Sequence, residues 1–122
     1  MFAMQPFIAH RATEHISLAP NSLGLDPSEN LVLFMLLYNW ENPGDDDIMH
    51  AAAKNLIGRI EEATKEAGRY NQFKYLNYAA PWQDPIKSYG EEIVRELKAV
   101  SRKYDPEGMF QIQCPGGFKL WR

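Results

Sequence analysis

The sequence predicts a small α+β domain, because apolar runs with strand periodicity alternate along the chain with amphipathic helical segments. Residues 30–40 are apolar at both parities and lie between turn-rich stretches, which predicts a central strand covered on both faces. Residues 45–68 carry apolar side chains at spacings of three and four, which predicts a helix. We therefore expect a small, mainly antiparallel sheet with amphipathic helices packed on one face, in a ferredoxin-like layer that dimerisation completes.

Two further segments have strand character. Residues 2–5 form a short apolar stretch that ends at Pro6, as expected for the end of a strand. Residues 73–78 alternate aromatic or apolar with polar side chains, which predicts a strand or an extended stretch. Within residues 30–40, a period of two places one set of side chains on a single face, namely Val32, Phe34, Leu36, Tyr38 and Trp40.

The helices are predicted from their ends. Asp45, Asp46 and Asp47 place negative charge at the start of the first helix, and Gly68 supplies its stop. Ser88 and Glu91 have the spacing of a capping box, which predicts a last helix beginning beside them. Its predicted apolar stripe is Ile93, Leu97, Val100 and Tyr104, its stop is the Asp105-Pro106 pair, and the residues after it are predicted to form an irregular tail. A short helix is also predicted within residues 8–16.

Composition restricts the classes of partner. The 122 residues are expected to form one domain, residues 1–122, and carry 13 Lys and Arg against 16 Asp and Glu, a net charge of -3. This balance gives no electrostatic footprint for nucleic acid or for an anionic membrane. Cys114 is the single cysteine, so an intrachain disulfide is excluded, and no histidine or cysteine spacing suits a metal. The start of the chain has no signal-peptide pattern, so we expect a cytoplasmic protein.

Several blocks of sequence are similar to one protein family. Residues 75–86 read YLNYAAPWQDPI, residues 88–90 read SYG, and residues 100–110 read VSRKYDPEGMF. Upstream, residues 21–26 read NSLGLD, and the chain closes with PGGF at residues 115–118. In this order the blocks resemble the C-terminal, berberine-like region of fungal berberine-bridge-type FAD-linked oxidases, and the resemblance covers nearly the whole chain.

The resemblance implies a place in an enzyme. In that family a larger N-terminal domain binds FAD, and a second domain with an antiparallel sheet shapes the substrate pocket over the flavin. Asn77 and Tyr78 match the position where the family places an Asn-Tyr pair at the flavin and substrate, and the Tyr position implies an acid/base group. The sequence carries neither the FAD-binding domain nor a His or Cys motif for flavin attachment. We therefore expect no bound cofactor unless a partner chain supplies the FAD-binding domain.

Candidate site residues follow from side-chain chemistry and from the resemblance together. Tyr78 is the candidate acid/base, and His10 and His15 titrate near neutral pH, so they are further catalytic candidates. Tyr75 and Tyr78 differ in parity, so an extended segment would turn them to opposite sides. The candidate substrate-binding residues are an aromatic wall formed by Tyr38 and Trp40, together with Phe34, Tyr75 and the Asn77 amide. Aromatic side chains at strand spacing also serve as ordinary core, and a buried tyrosine often needs only a hydrogen-bond partner.

Two functions from different classes remain open on the sequence. The first is a homodimeric, cofactor-free enzyme that binds a small hydrophobic metabolite and catalyses a non-redox isomerisation or cyclisation. Such reactions depend on shape and proton placement, because a near-attack geometry alone removes several kcal/mol of barrier. The second is a non-catalytic subunit or a fragment of an FAD-dependent oxidoreductase.

Overall fold

The computed structural model describes residues 2–8, 22–26 and 29–121, and these fall into two compact units. The first unit contains residues 2–5 and 32–71, and the second contains residues 6–8, 29–31 and 72–121 together with the 22–26 segment. Strands and helices are both present and follow one another along the chain, so the predicted α+β class is confirmed. The short helix predicted within residues 8–16 lies almost entirely outside the described residues.

The sheet that the described residues form has two strands, β1 (Phe2–Ile8) and β2 (Asn30–Leu36), paired with each other. Both strands were predicted, but β1 continues past Pro6, where it was expected to end, to Ile8, and β2 ends four residues earlier than the apolar run suggested. The prediction that this strand is covered on both faces is wrong, because Val32 is 60% exposed and the rest of β2 is only partly buried or exposed. Apolar residues at both odd and even positions therefore predicted the strand correctly but not how deeply its two faces are buried.

Helix α1 (Asp46–Glu66) confirms the helix predicted from its two ends. A 3-10 turn at Pro43–Asp45 leads into it, and Asn42 caps that turn by accepting a hydrogen bond from the Gly44 amide at 3.0 Å. Ala67 closes the helix, and Gly68 follows with a φ of 65°, the left-handed conformation typical of a helix stop. In the part of the chain that is described, no helix combines the length and apolar character required to cross a membrane.

The second unit contains helix α2 (Glu91–Tyr104) and the short helix α3 (Met109–Ile112). Helix α2 ends where it was predicted to end, but the predicted capping box is wrong. Gly90 occupies the N-cap with a φ of 93°, and no side chain caps the helix. Helix α3 lies in the tail predicted to be irregular, and its first turn is capped by the Asp105 carboxylate, which accepts hydrogen bonds from the amides of Met109 and Phe110 at 2.8 and 3.0 Å.

The core of the second unit forms around Tyr89. Tyr89 is 9% exposed, Leu25 is 7% exposed, and Pro85 is the most deeply buried large side chain described. The Tyr89 ring stacks on Phe73 with centroids 5.6 Å apart. Two residues of the apolar stripe predicted on α2 do not join a core, because Val100 is 53% and Tyr104 is 74% exposed.

Burial of Tyr89 predicts a loss of stability in alkali. Burial raises the pKa of the Tyr89 phenol above its ordinary value of 10.0, and the nearby Tyr75 raises that pKa further. A raised folded-state pKa means that the unfolded chain releases this proton first, so the stabilisation is complete below the unfolded pKa and is lost as pH rises through the folded pKa. We expect the free energy of unfolding to fall above about pH 10, and to fall less steeply in Tyr89→Phe, as measured by urea denaturation across this range. Tyr104→Phe, at an exposed position, should leave the slope unchanged, and equal slopes for all three proteins would contradict the prediction.

Candidate functional site

A compact cluster of Tyr75, Asn77 and Tyr78 is formed by a single turn of 3-10 helix. The turn spans Leu76–Tyr78 and is closed by hydrogen bonds from the Tyr78 amide to the Tyr75 carbonyl at 3.0 Å and from the Ala79 amide to the Leu76 carbonyl at 3.4 Å. Three residues per turn bring a side chain back over the one three positions earlier. The turn therefore places Tyr78 beside Tyr75.

The side chains of the cluster contact one another directly. The Asn77 amide nitrogen Nδ2 donates a hydrogen bond to the Tyr75 hydroxyl at 2.9 Å. The rings of Tyr75 and Tyr78 pack edge to face, with centroids 4.9 Å apart and planes at 89°. Tyr78 remains 47% exposed, and its hydroxyl has no hydrogen-bond partner among the described residues. The cluster thus offers an exposed phenol whose ring packs against a second phenol, and an amide hydrogen-bonds that second phenol.

This geometry corrects the prediction that residues 73–78 form a strand or an extended stretch. Residues 73–78 do not form a strand or a fully extended stretch, because the chain turns at Leu76–Tyr78. The prediction that Tyr75 and Tyr78 face opposite sides is therefore wrong, since parity holds only for extended backbone. The structure brings Tyr78 together with Tyr75 and Asn77, from which strand periodicity had separated it.

The predicted aromatic wall belongs to the first unit. Phe34 lies in β2, whereas Tyr38 and Trp40 lie beyond the end of that strand, so the prediction that all three share a strand face is wrong for the latter two. The Trp40 indole nitrogen Nε1 donates to the Asp46 carboxylate at 2.6 Å, and its ring meets His50 edge to face at 5.6 Å. These contacts fasten the segment after β2 to the first turn of α1. Trp40 therefore has a structural role, which its hydrogen bond to Asp46 and its ring contact with His50 explain.

The signal for this contact was present in the sequence. Asp46 and His50 are four residues apart on α1, so they lie on the same helix face, and Trp40 precedes that face by a short loop.

His10 and His15 lie outside the described residues, so their catalytic role stays a prediction. No group of three or more His, Cys, Asp or Glu side chains within residues 22–26 and 29–121 could hold a metal ion.

The two long helices do not fit a dinucleotide. A pyrophosphate binds at a helix N-terminus where amide groups and the helix dipole present positive charge. Helix α1 begins with Asp46 and Asp47, and α2 begins with Glu91 and Glu92, so both N-termini carry negative side chains that would repel the phosphates. Neither helix start described here is suited to hold the pyrophosphate of FAD.

Comparison with characterised proteins gives a consistent set of relatives. The FAD-dependent monooxygenase drtC of Aspergillus calidoustus is 40% identical over 100 residues, which cover 82% of this chain and 19% of that protein. The FAD-dependent monooxygenase tpcD of Cochliobolus heterostrophus is 38% identical over 121 residues, which cover 98% of this chain and 23% of that protein. A relative with another name, the oligopeptidase PhomG' of Diaporthe leptostromiformis, is 38% identical over 103 residues, or 8% of its length.

These matches define what the chain is similar to. No family model matches the sequence, and no solved structure matches it. The chain spans about a fifth of the length of the monooxygenases that it matches. The similarity to tpcD extends over nearly all of the chain, and its range spans the segment that contains Tyr75, Asn77 and Tyr78. The chain is thus a homologue of a short segment of larger fungal FAD-dependent monooxygenases.

Proposed function

We propose that this chain is the substrate-side segment of an FAD-dependent oxidoreductase, the berberine-like region, and that protein outside these 122 residues holds the flavin. The observation that carries the proposal is the exposed Tyr78 phenol, which packs on the Asn77-bonded Tyr75 ring in a chain homologous to part of FAD-dependent monooxygenases. The acidic starts of α1 and α2 support a flavin bound elsewhere.

Exposed apolar side chains support a role inside a larger assembly. In the second unit Val100, Tyr104, Phe110 and Ile112 are between 53% and 78% exposed. Large apolar side chains gathered on a protein surface commonly mark a site of contact with further protein. We expect the flavin-binding part of the enzyme to cover such side chains of this segment.

The cluster's own chemistry is proton transfer and orientation. The flavin supplies the redox chemistry when it is bound. Tyr78 can donate a proton to a substrate oxygen or accept one from it, because its hydroxyl is exposed and has no partner among the described residues. Asn77 donates to the oxygen of Tyr75, which leaves the Tyr75 hydrogen free to orient a substrate carbonyl. The edge-to-face contact restricts the Tyr78 ring to a narrow range of positions.

An absorbance spectrum tests where the flavin is held. We expect the purified 122-residue chain to lack the flavin band near ~450 nm, since neither described helix start suits the cofactor's phosphates. The measurement is made after incubation with excess FAD and removal of the free cofactor by gel filtration. A chain that retains stoichiometric flavin would contradict the proposal.

A chimeric enzyme tests the role of Tyr78. The matching segment of drtC is replaced with this chain, and flavin content and monooxygenase turnover are measured. We expect the chimera to hold flavin and turn over, and Tyr78→Phe to keep the flavin while lowering kcat by about 100-fold, the usual loss when an acid/base group is removed.

Tyr70→Phe is the matched control, because it removes the same hydroxyl from an exposed ring of the first unit that belongs neither to the cluster nor to the exposed apolar side chains named above. It should keep full turnover. An inactive chimera that retains flavin, or a Tyr78→Phe chimera as active as the control, would count against the proposal.

A second candidate function uses the same cluster without flavin. We propose it because Tyr75, Asn77 and Tyr78 are held together within one unit by their own contacts. In this case a homodimer binds a small hydrophobic metabolite and catalyses an isomerisation or cyclisation, with Tyr78 moving the proton. Light scattering on the purified chain should then report a stable dimer, and Tyr78→Phe should abolish a turnover that needs no added cofactor. A monomer without turnover rejects this candidate and leaves the first one standing.

A further inference from the structure

A groove of about 470 Å³ lies in the second unit. One wall is helix α2, another is the turn that contains Lys87, and the third is the C-terminal tail at Lys119 and Leu120. Its volume is in the range of pockets that hold a small organic molecule. None of the residues predicted to form a site lines this groove.

Basic side chains dominate the lining. Five of them face the groove, namely Lys87, Arg95, Lys98, Arg102 and Lys119, against the two carboxylates of Asp84 and Glu91. The surplus of three positive charges is opposite in sign to the net charge of -3 for the whole chain. The positive charge is therefore concentrated here and is not a property of the surface in general.

Helix periodicity aligns three of these cations. Arg95, Lys98 and Arg102 are separated by three and four residues on α2, so they share one helix face. The Trp121 ring lies beneath two of them, with the Arg102 guanidinium 4.5 Å and the Lys98 ammonium 5.4 Å from its centroid. These cation-π contacts do not occupy all the N–H groups, so hydrogen-bond donors on both side chains remain for a ligand.

The tail wall is held by hydrogen bonds. The Lys119 ammonium donates to the carbonyl oxygens of Phe110 at 3.1 Å and Cys114 at 2.6 Å, and the Leu120 amide donates to the Gln111 side chain at 2.8 Å. Lys119 has three donors, so one remains after these two bonds. The groove therefore has a fixed wall that carries a positive charge.

The Asp84 carboxylate at the groove already has a hydrogen-bond partner. The Asp84 carboxylate accepts a hydrogen bond from the Lys87 amide at 3.0 Å, which orients it toward the turn. Among the described residues, the Lys87 ammonium has no hydrogen-bond or ion-pair partner, and Arg95 has only a distant one, the Glu92 carboxylate at 3.9 Å. Two cations at the groove are thus available to a ligand.

Apolar side chains complete the lining. Ile86, Val94 and Leu120 contribute one residue from each of the three walls. An inorganic ion would leave this apolar surface in water, whereas an organic anion covers it and gains the corresponding free energy. The lining thus combines oxyanion recognition with a small hydrophobic surface.

We propose that this groove binds a small organic anion, a carboxylate or phosphate monoester attached to an apolar body. The guanidinium of Arg95 presents paired donors that match either oxyanion. The apolar body lies against Val94 and Leu120. None of the tyrosine-cluster residues lines this groove, and the proposal does not depend on the proposed function.

Three naphthalene compounds of similar apolar body test it. We expect 2-naphthoate or 1-naphthyl phosphate to bind the full-length chain at least about tenfold more tightly than neutral 2-naphthamide in isothermal titration calorimetry. The anion that binds more tightly shows whether the groove prefers a carboxylate or a phosphate. Added salt should weaken the binding of the anion and leave the binding of 2-naphthamide unaffected. Amide chemical shifts in NMR spectra should change at Val94 and Leu120.

A matched pair of variants locates the site. Arg95→Gln is expected to weaken the tighter anion by about tenfold, because a charge-assisted contact is lost. Lys103→Gln removes the same charge from the same helix, but Lys103 lies over the Tyr104 ring and does not line the groove, so it should bind the anion as the parent does. Equal affinity for the anions and the amide, or equal effects of the two variants, would overturn the proposal.

Discussion

Replacing Gly24 with alanine is expected to lower the free energy of unfolding by about 3 kcal/mol or more. Gly24 has a φ of 68°, a conformation that costs an L-residue about 1 kcal/mol. A Cβ at this position would also overlap the carbonyl oxygen of Tyr89 and lie 3.2 Å from Cγ1 of Ile93. The carbonyl belongs to the backbone beside the start of α2, so it cannot rotate away as a flexible side chain can.

Gly68→Ala separates the two causes. Gly68 has nearly the same φ, 65°, but a Cβ there would meet no heavy atom within 4 Å. This variant should lose only about 1 kcal/mol, the strain of the left-handed conformation. Urea denaturation of both variants against the parent measures the difference. Equal losses would show that the close approach of Gly24 to Tyr89 contributes nothing to stability.

Helix α1 was predictable because its signals are local. Asp45, Asp46 and Asp47 favour a helix start through their charge, and Gly68 permits a stop through its backbone freedom. Each of these effects acts within one turn of the residue that causes it. The end of α2 at Tyr104 was predictable for the same reason, since Pro106 prevents Asp105 from continuing the helix.

The tyrosine cluster was predictable in its members and not in its geometry. Alternation of aromatic and polar residues at 73–78 satisfied the rule for a strand, yet neither described strand pairs with this segment. The segment instead turns at Leu76–Tyr78, where the Tyr75 carbonyl accepts from the Tyr78 amide. Sequence periodicity gives no account of whether a backbone partner exists, so the contact between the rings could not be foreseen.

The groove shows the opposite case, a site whose signal lay in the sequence. Arg95, Lys98 and Arg102 repeat at helical spacing, as did the apolar stripe that ended at Val100 and Tyr104. The structure places the basic residues in a groove and leaves Val100 and Tyr104 exposed. Periodicity predicted the apolar stripe of α2 and left the basic face unpredicted, because which face meets protein depends on residues far along the chain.

Ser88 makes a contact that the capping rule assigned to the wrong partner. Its hydroxyl accepts a hydrogen bond from the Lys74 amide at 2.9 Å and donates one to the Pro85 carbonyl at 2.5 Å. Lys74 is 14 residues away, so this pairing is tertiary and outside the reach of a rule based on spacing. The hydroxyl thereby connects the chain before the tyrosine cluster to the turn that precedes α2.

Ser88→Ala is therefore expected to lower the free energy of unfolding by about 2 kcal/mol, because it removes two hydrogen bonds at a partly buried position. Ser101→Ala is the control: it removes a hydroxyl of the same size from the interior of α2, where alanine favours the helix, and should change stability by less than about 0.5 kcal/mol. Hydrogen exchange provides a second measurement, since the Lys74 amide should lose protection in Ser88→Ala alone. If both variants unfold at the same urea concentration, Ser88 does not hold the two segments together, and the placement of the tyrosine cluster must depend on the packing of Phe73 against Tyr89 instead.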